Sequence, residues 1–171
     1  SNLGPVTAVA GGSTHTCALT INGTMRCWGS NSINEARVPF DLGRVTAMAV
    51  GGHHTCAVTA AGTMRCWGSN GDGQRSVPSG LGPVVAAAAG FTHTCALTNA
   101  GVVRCWAWNY NGKVSVPSDL GPATAISVAS FHSCAVVAAG DVRCWGDVNA
   151  PSDLLGPATT LVGVFSTHAP S

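Results

Sequence analysis

Charge is what this sequence has least of. Only 9% of its 171 residues are charged, eight basic against seven acidic, for a formal net charge of +1. An average globular chain carries roughly 25%. Without a clustered basic surface the chain cannot hold phosphates, which speaks against a nucleic-acid partner. No run of like charge occurs either, so a long solvated tail is excluded. Apolar residues reach 46%, but much of this is Ala and Val. The run Val84–Ala89 falls far short of the ~20 residues that a membrane-spanning helix needs. No basic-then-apolar leader opens the chain, which starts at Ser1 and reads as a mature or excised segment. Catalytic signatures are sparse as well. There is no Gly-x-Ser-x-Gly elbow, and the seven carboxylates (Glu35, Asp41, Asp72, Asp119, Asp141, Asp147 and Asp153) are scattered. Acid–base catalysis needs such groups in facing pairs. The expectation is a non-enzyme without a cofactor or resident metal.

What the chain does have is cysteine and a period. Eight Cys, an even number, point to an oxidising compartment and a disulfide framework. They fall at 17, 27, 56, 66, 95, 105, 134 and 144. Each member of a pair recurs 39 residues on, as do His15, His54, His93 and His132. Arg26, Trp28, Gly23 and Pro39 found three further series with the same step and a fourth that runs to Pro117. Such self-similarity marks a repeat protein.

Within one unit, "VTAVAGG" and "HTCALT" alternate as strands, "ING" turns, and "TMRCWGSN" is a third strand. The turn ends in Gly every time, as expected of a three-residue hairpin loop whose last residue has positive φ. Centring that loop on Asn22 pairs Leu19 with Met25 and Cys17 with Cys27 across two antiparallel strands. Directly opposed residues suit a disulfide. The predicted bridges are therefore Cys17–Cys27, Cys56–Cys66, Cys95–Cys105 and Cys134–Cys144. Zinc fits badly, because no pair has the two-to-four-residue spacing of zinc sites.

The segments "GGSTHTCALTINGTMRCWGSN" and "GGHHTCAVTAAGTMRCWGSNGDGQRSVPSGLG" resemble repeats of the regulator-of-chromosome-condensation family, in the short bacterial-type version of the propeller-shaped β-lactamase-inhibitory protein. The resemblance implies an all-β, β-propeller-like array of four-stranded blades, usually seven to a ring. This chain has four 39-residue repeats (about 5–43, 44–82, 83–121 and 122–156) plus a partial fifth (157–171). The hairpin cysteines lie outside the inhibitor's pattern and favour a secreted setting. The chain enters in mid-unit and its last repeat is degenerate, with Pro151 five residues early. It therefore reads as the end of a larger propeller with further blades upstream, the alternatives being a compact four-bladed ring or an association of two chains.

Against a metal site, the periodic His are spread around the array, one per blade, and are expected to hydrogen-bond backbone where the strand begins. The periodic Trp are expected to pack on the neighbouring blade. Recognition would fall to the non-periodic positions, because variable loops on a regular scaffold carry specificity. In the inhibitor that the chain resembles, aromatics at matching positions line the gripping face. Carried over, these are Phe91, Phe131 and Phe165, joined by His53, an off-period histidine expected to be exposed. The third unit adds Trp108, Asn109 and Tyr110. Asn22-Gly23-Thr24 is a glycosylation sequon at a hairpin tip. The functional expectation is an extracellular or cell-surface protein-interaction or assembly module, meeting a protein partner or neighbouring copies. Alternatives are an enzyme-inhibitor-like binder using the aromatic face, and a lectin-like glycan binder stacking sugar on Trp108 and Tyr110.

Overall fold

The computed structural model describes residues 3–147. Phe165 and the partial fifth unit lie outside the described residues. Within them the chain forms four three-stranded antiparallel sheets, one per repeat. The first contains β1 (Val6–Gly11), β2 (His15–Thr20) and β3 (Met25–Gly29). The second is β4 (Val45–Val50), β5 (His54–Thr59) and β6 (Met64–Gly68). The third is β7 (Val84–Ala89), β8 (His93–Thr98) and β9 (Val103–Ala107), and the fourth is β10 (Ala123–Val128), β11 (His132–Val137) and β12 (Val142–Gly146). Among the described residues the only helical element is a 3-10 turn at Tyr110–Gly112. No helix among the described residues is long and apolar enough to cross a membrane.

Hairpin register follows the turn chemistry. Gly23, Gly62, Gly101 and Gly140 all have φ between 77° and 92°, a region glycine enters without steric penalty. With the loop so fixed, Cys17 faces Cys27 and Leu19 faces Met25; the Cys pair recurs in the other three sheets, where Val58 faces Met64, Leu97 faces Val103 and Val136 faces Val142. All four disulfides form between these opposed residues, with Cα separations of 4.0 to 4.1 Å.

One departure concerns blade size. The family resemblance implies a fourth strand, but the return segments are irregular here. Pro39, Pro78 and Pro117 interrupt them and lack the N–H that a ladder needs. Their apolar residues still pack: Val38 and Leu42 close the first inter-blade cluster, and Val116 and Leu120 the third.

The core lies between blades rather than within them. Cys17, Leu19 and Met25 on one face of the first sheet meet Val50, Ala57 and Trp67 of the second. Cys56, Val58 and Met64 meet Ala89, Ala96 and Trp106 in the same way. Backbones come close enough to require glycine at the inner strand ends. A Cβ on Gly51 would lie 2.6 Å from the Gly90 carbonyl oxygen, and one on Gly90 would lie 2.7 Å from His93 Cε1. Trp67, Trp106 and Trp145 are buried by this stacking, whereas Trp28 of the first blade is 47% exposed.

Candidate functional site

Each blade presents two loops at one end: the connection into its His strand and the loop after its Trp strand. The hairpin turns, Asn22 among them, lie at the other end. The sequon is thus remote from the loops that carry the predicted partner-binding residues, and Asn22 is exposed there.

The loop end is built on an inter-blade lock. His15 Nε2 lies 2.7 Å from Thr55 Oγ1, His54 Nε2 lies 2.8 Å from Thr94 Oγ1, and His93 Nε2 lies 3.0 Å from Ser133 Oγ. Those hydroxyls donate in turn to the carbonyls of Glu35, Gln74 and Lys113. A hydroxyl has one proton. With it given to the carbonyl, the hydroxyl must accept from the imidazole, so each Nε2 carries the hydrogen. Nδ1 of His15, His54 and His93 has no hydrogen-bond partner among the described residues. The expected backbone bond is thereby corrected: these histidines hold the next blade's hydroxyl, one period plus one residue away. Burial pushes His54 down to about 4 and His93 to about 3; repulsion from neighbouring histidines when they are protonated, and for His93 from Lys113, acts in the same direction. His15 is lowered by burial against the opposing pull of Glu35. No group of three His, Cys, Asp or Glu with the makings of a metal site occurs among the described residues.

The carbonyls of Glu35 and Gln74 also accept from Trp67 and Trp106 Nε1, both at 3.1 Å. Glu35, Gln74 and Lys113 are one period apart and all buried. In the first loop the Glu35 carboxylate accepts from Ser30 Oγ and the Ile33 N–H. Burial alone would raise its pKa, but these bonds outweigh it and the net shift is downward. In the second, Gln74 accepts from the Asp72 N–H and donates to Ser69 Oγ. Asn31, Asn70 and Asn109 close the three loops by accepting from the backbone five residues on. Asn109 also donates to Ser115 Oγ, so its side chain serves its own loop.

The third loop breaks the pattern. Lys113 stands where Glu35 and Gln74 stand, and Trp108 replaces Ser30 and Ser69. Lys113 Nζ donates to Thr92 Oγ1 at 2.6 Å and lies 5.5 Å from the Trp108 ring centre and 5.7 Å from that of Phe131. Burial lowers its pKa, with Asp72 pulling the other way. Trp108 stacks at a tilt on Tyr110, with centroids 5.3 Å apart. Phe91 packs edge-on against His53, with centroids 5.5 Å apart. Contrary to expectation His53 is half-buried, because that ring covers it. Phe91, Trp108, Tyr110 and Phe131 are each 40 to 55% exposed. The fold thus brings His53, Phe91, Trp108, Tyr110 and Phe131 to one end of adjacent blades. Phe40, fully exposed in the first return segment, stands apart from them.

Sequence reasoning missed the hydroxyl series Thr16, Thr55, Thr94 and Ser133 and the loop-closing asparagines, although both keep the 39-residue step. The Glu35, Gln74 and Lys113 series changes residue type and gave no such signal.

Comparison with known proteins decides the family. The regulator of chromosome condensation (RCC1) repeat matches residues 6–32, 45–74 and 84–113, together half of the chain. The chain belongs to the RCC1 repeat family. No curated protein gives a significant sequence match. Among solved structures, the CRINKLY ectodomain of the Arabidopsis thaliana receptor kinase ACR4 aligns at 21% identity and a TM-score of 0.69, over 83% of this chain and 51% of that one. The ectodomain of the Physcomitrella patens receptor kinase CR4 aligns at 24% and 0.70, over 86% and 42%. Prp20p of Saccharomyces cerevisiae, a protein studied for its binding to Gsp1p and histones, aligns at 21% and 0.71, over 82% and 45%. The chain spans about half the length of these solved structures, and the likeness is one of fold.

Proposed function

We propose that this RCC1-type array is a non-catalytic protein-interaction module of an extracellular or cell-surface protein, and that it binds through the loop end of its blades. The observation that carries this reading is the half-exposed aromatic group of Phe91, Trp108, Tyr110 and Phe131, beside His53, on a chain otherwise poor in aromatics. Exposed aromatic rings on a rigid support are the usual material of binding hot spots. The blades supply that rigidity: each loop is anchored by a buried His–hydroxyl–carbonyl lock and by a disulfide-tied hairpin. Four disulfides suit an oxidising setting, and the ectodomains of ACR4 and CR4 support the same placement. Prp20p, which binds Gsp1p and histones, supports protein partners for this kind of scaffold.

The test is an array of purified extracellular proteins probed with the chain and with its Phe91→Ala/Trp108→Ala/Phe131→Ala variant. Binders lost by the variant support the reading. Binders that both proteins retain equally would place the interaction elsewhere.

A further inference from the structure

The third loop keeps its closing asparagine but departs from its siblings at three other positions, 107, 108 and 113. Ala107 has φ of 106°, where Gly29, Gly68 and Gly146 occupy the same region; a Cβ is strained there. Trp108 and Lys113 together replace the Ser–Glu and Ser–Gln pairs whose hydrogen bonds close the first two loops. Downstream, Trp145 Nε1 is buried and, among the described residues, lacks the hydrogen bond that Trp67 and Trp106 make. The substitutions are coordinated, since the new Lys lies against the new Trp. What they build is a fully buried ammonium with one hydroxyl partner and, among the described residues, no carboxylate in ion-pair reach. It lies under two half-exposed rings. Trp108 Nε1 and the Tyr110 hydroxyl are hydrogen-bond donors with no partner among the described residues.

Resting on the interaction face argued above, we propose that the Trp108–Tyr110–Phe131 cap over Lys113 is the specificity anchor of that face and takes an Asp or Glu side chain flanked by apolar residues on a protein partner. The complementarity is of charge and surface together. Apolar flanks cover the rings, and the carboxylate answers a positive charge that Asp72 offsets only from a distance, in a region shielded from water where Coulomb attraction is strongest. A neutral sugar would instead need an open ring face, and Trp108 is already engaged by Tyr110 and Lys113.

The probe is a random heptapeptide display library panned on the disulfide-intact chain. Enriched peptides should carry Asp or Glu beside aromatic or aliphatic residues. Changing that acid to its amide should weaken binding to the wild type roughly tenfold or more, and should do little on Lys113→Gln. The Trp108→Ser/Lys113→Gln variant restores the Ser–Gln pair of the second loop and so folds by the second loop's own bonds. It should lose both the binding and the preference for acid. Peptides that need Phe91 or Trp108 but show no coupling between acid and Lys113 overturn the anchor and leave the face standing. Peptides indifferent to Phe91→Ala and Phe131→Ala overturn both. No enrichment, or a glycan-array signal lost with Trp108→Ala, likewise overturns the proposal.

Discussion

Acid should loosen this molecule through its buried histidines before it does so through its few carboxylates. His54 and His93 are fully buried, and their Nδ1 atoms have no acceptor for a second proton among the described residues. Their folded-state values are depressed to about 4 and about 3 from 6.5 in the unfolded chain. Between these limits the unfolded chain binds more protons, so stability is complete above about pH 6.5 and falls as pH falls. At 1.36 kcal/mol per unit, the full loss is about 3 kcal/mol for His54 and about 5 kcal/mol for His93. At pH 4.5 the two together withdraw about 5 kcal/mol, comparable with the whole stability of a small domain, roughly 5–15 kcal/mol. The assay is equilibrium guanidinium unfolding with disulfides intact, at pH 7.5 and pH 4.5. The comparison protein is His54→Gln/His93→Gln, whose amides can still donate to Thr94 and Ser133 but do not titrate. Carboxylates contribute equally to both proteins. Wild type should lose about 5 kcal/mol more than the variant on acidification. Equal losses would refute the neutral, Nε2-protonated lock.

Other expectations concern the scaffold. Gly51→Ala should cost about 1–3 kcal/mol by forcing the second blade off the third, whereas Gly71→Ala, with nothing near its added methyl, should leave the unfolding midpoint unchanged. Intact-mass measurement before and after reduction should show a gain of eight hydrogens from the eight cysteines. Replacing Cys95 and Cys105 by Ser should cost roughly 2–3 kcal/mol in chemical unfolding. The exposed Arg65–Asp41 and Arg143–Asp119 pairs, both near 3 Å, should each contribute less than about 1 kcal/mol. A larger effect of Asp41→Asn on the midpoint would show that these bridges do more than decorate the rim.

Much of the scaffold was legible because one period governs it. Once Asn22 is placed at the hairpin tip, register, disulfides and strand faces follow by alternation. The fourth strand implied by resemblance did not follow, because proline leaves the return segment in turns while its Val and Leu still reach the core. The lock was harder to read. A histidine's partner is one blade away, and its identity depends on how sheets stack, which no within-unit pattern encodes. The aromatic positions were visible as breaks in the repeat, but their association was not. His53 is covered by Phe91, and Asn109 closes its own loop as Asn31 and Asn70 do. Lys113 escaped notice because it replaces a glutamate and a glutamine, so charge changes where geometry is kept.

The most direct test of the account is a hydrogen-exchange footprint of the chain bound to its tightest protein binder. Exchange should slow in the loop segments 51–54, 90–93, 107–113 and 129–132, with the hairpin turns at 21–24, 60–63, 99–102 and 138–141 unchanged. Protection confined to the turns, with the aromatic loops exchanging as in the free chain, would contradict it.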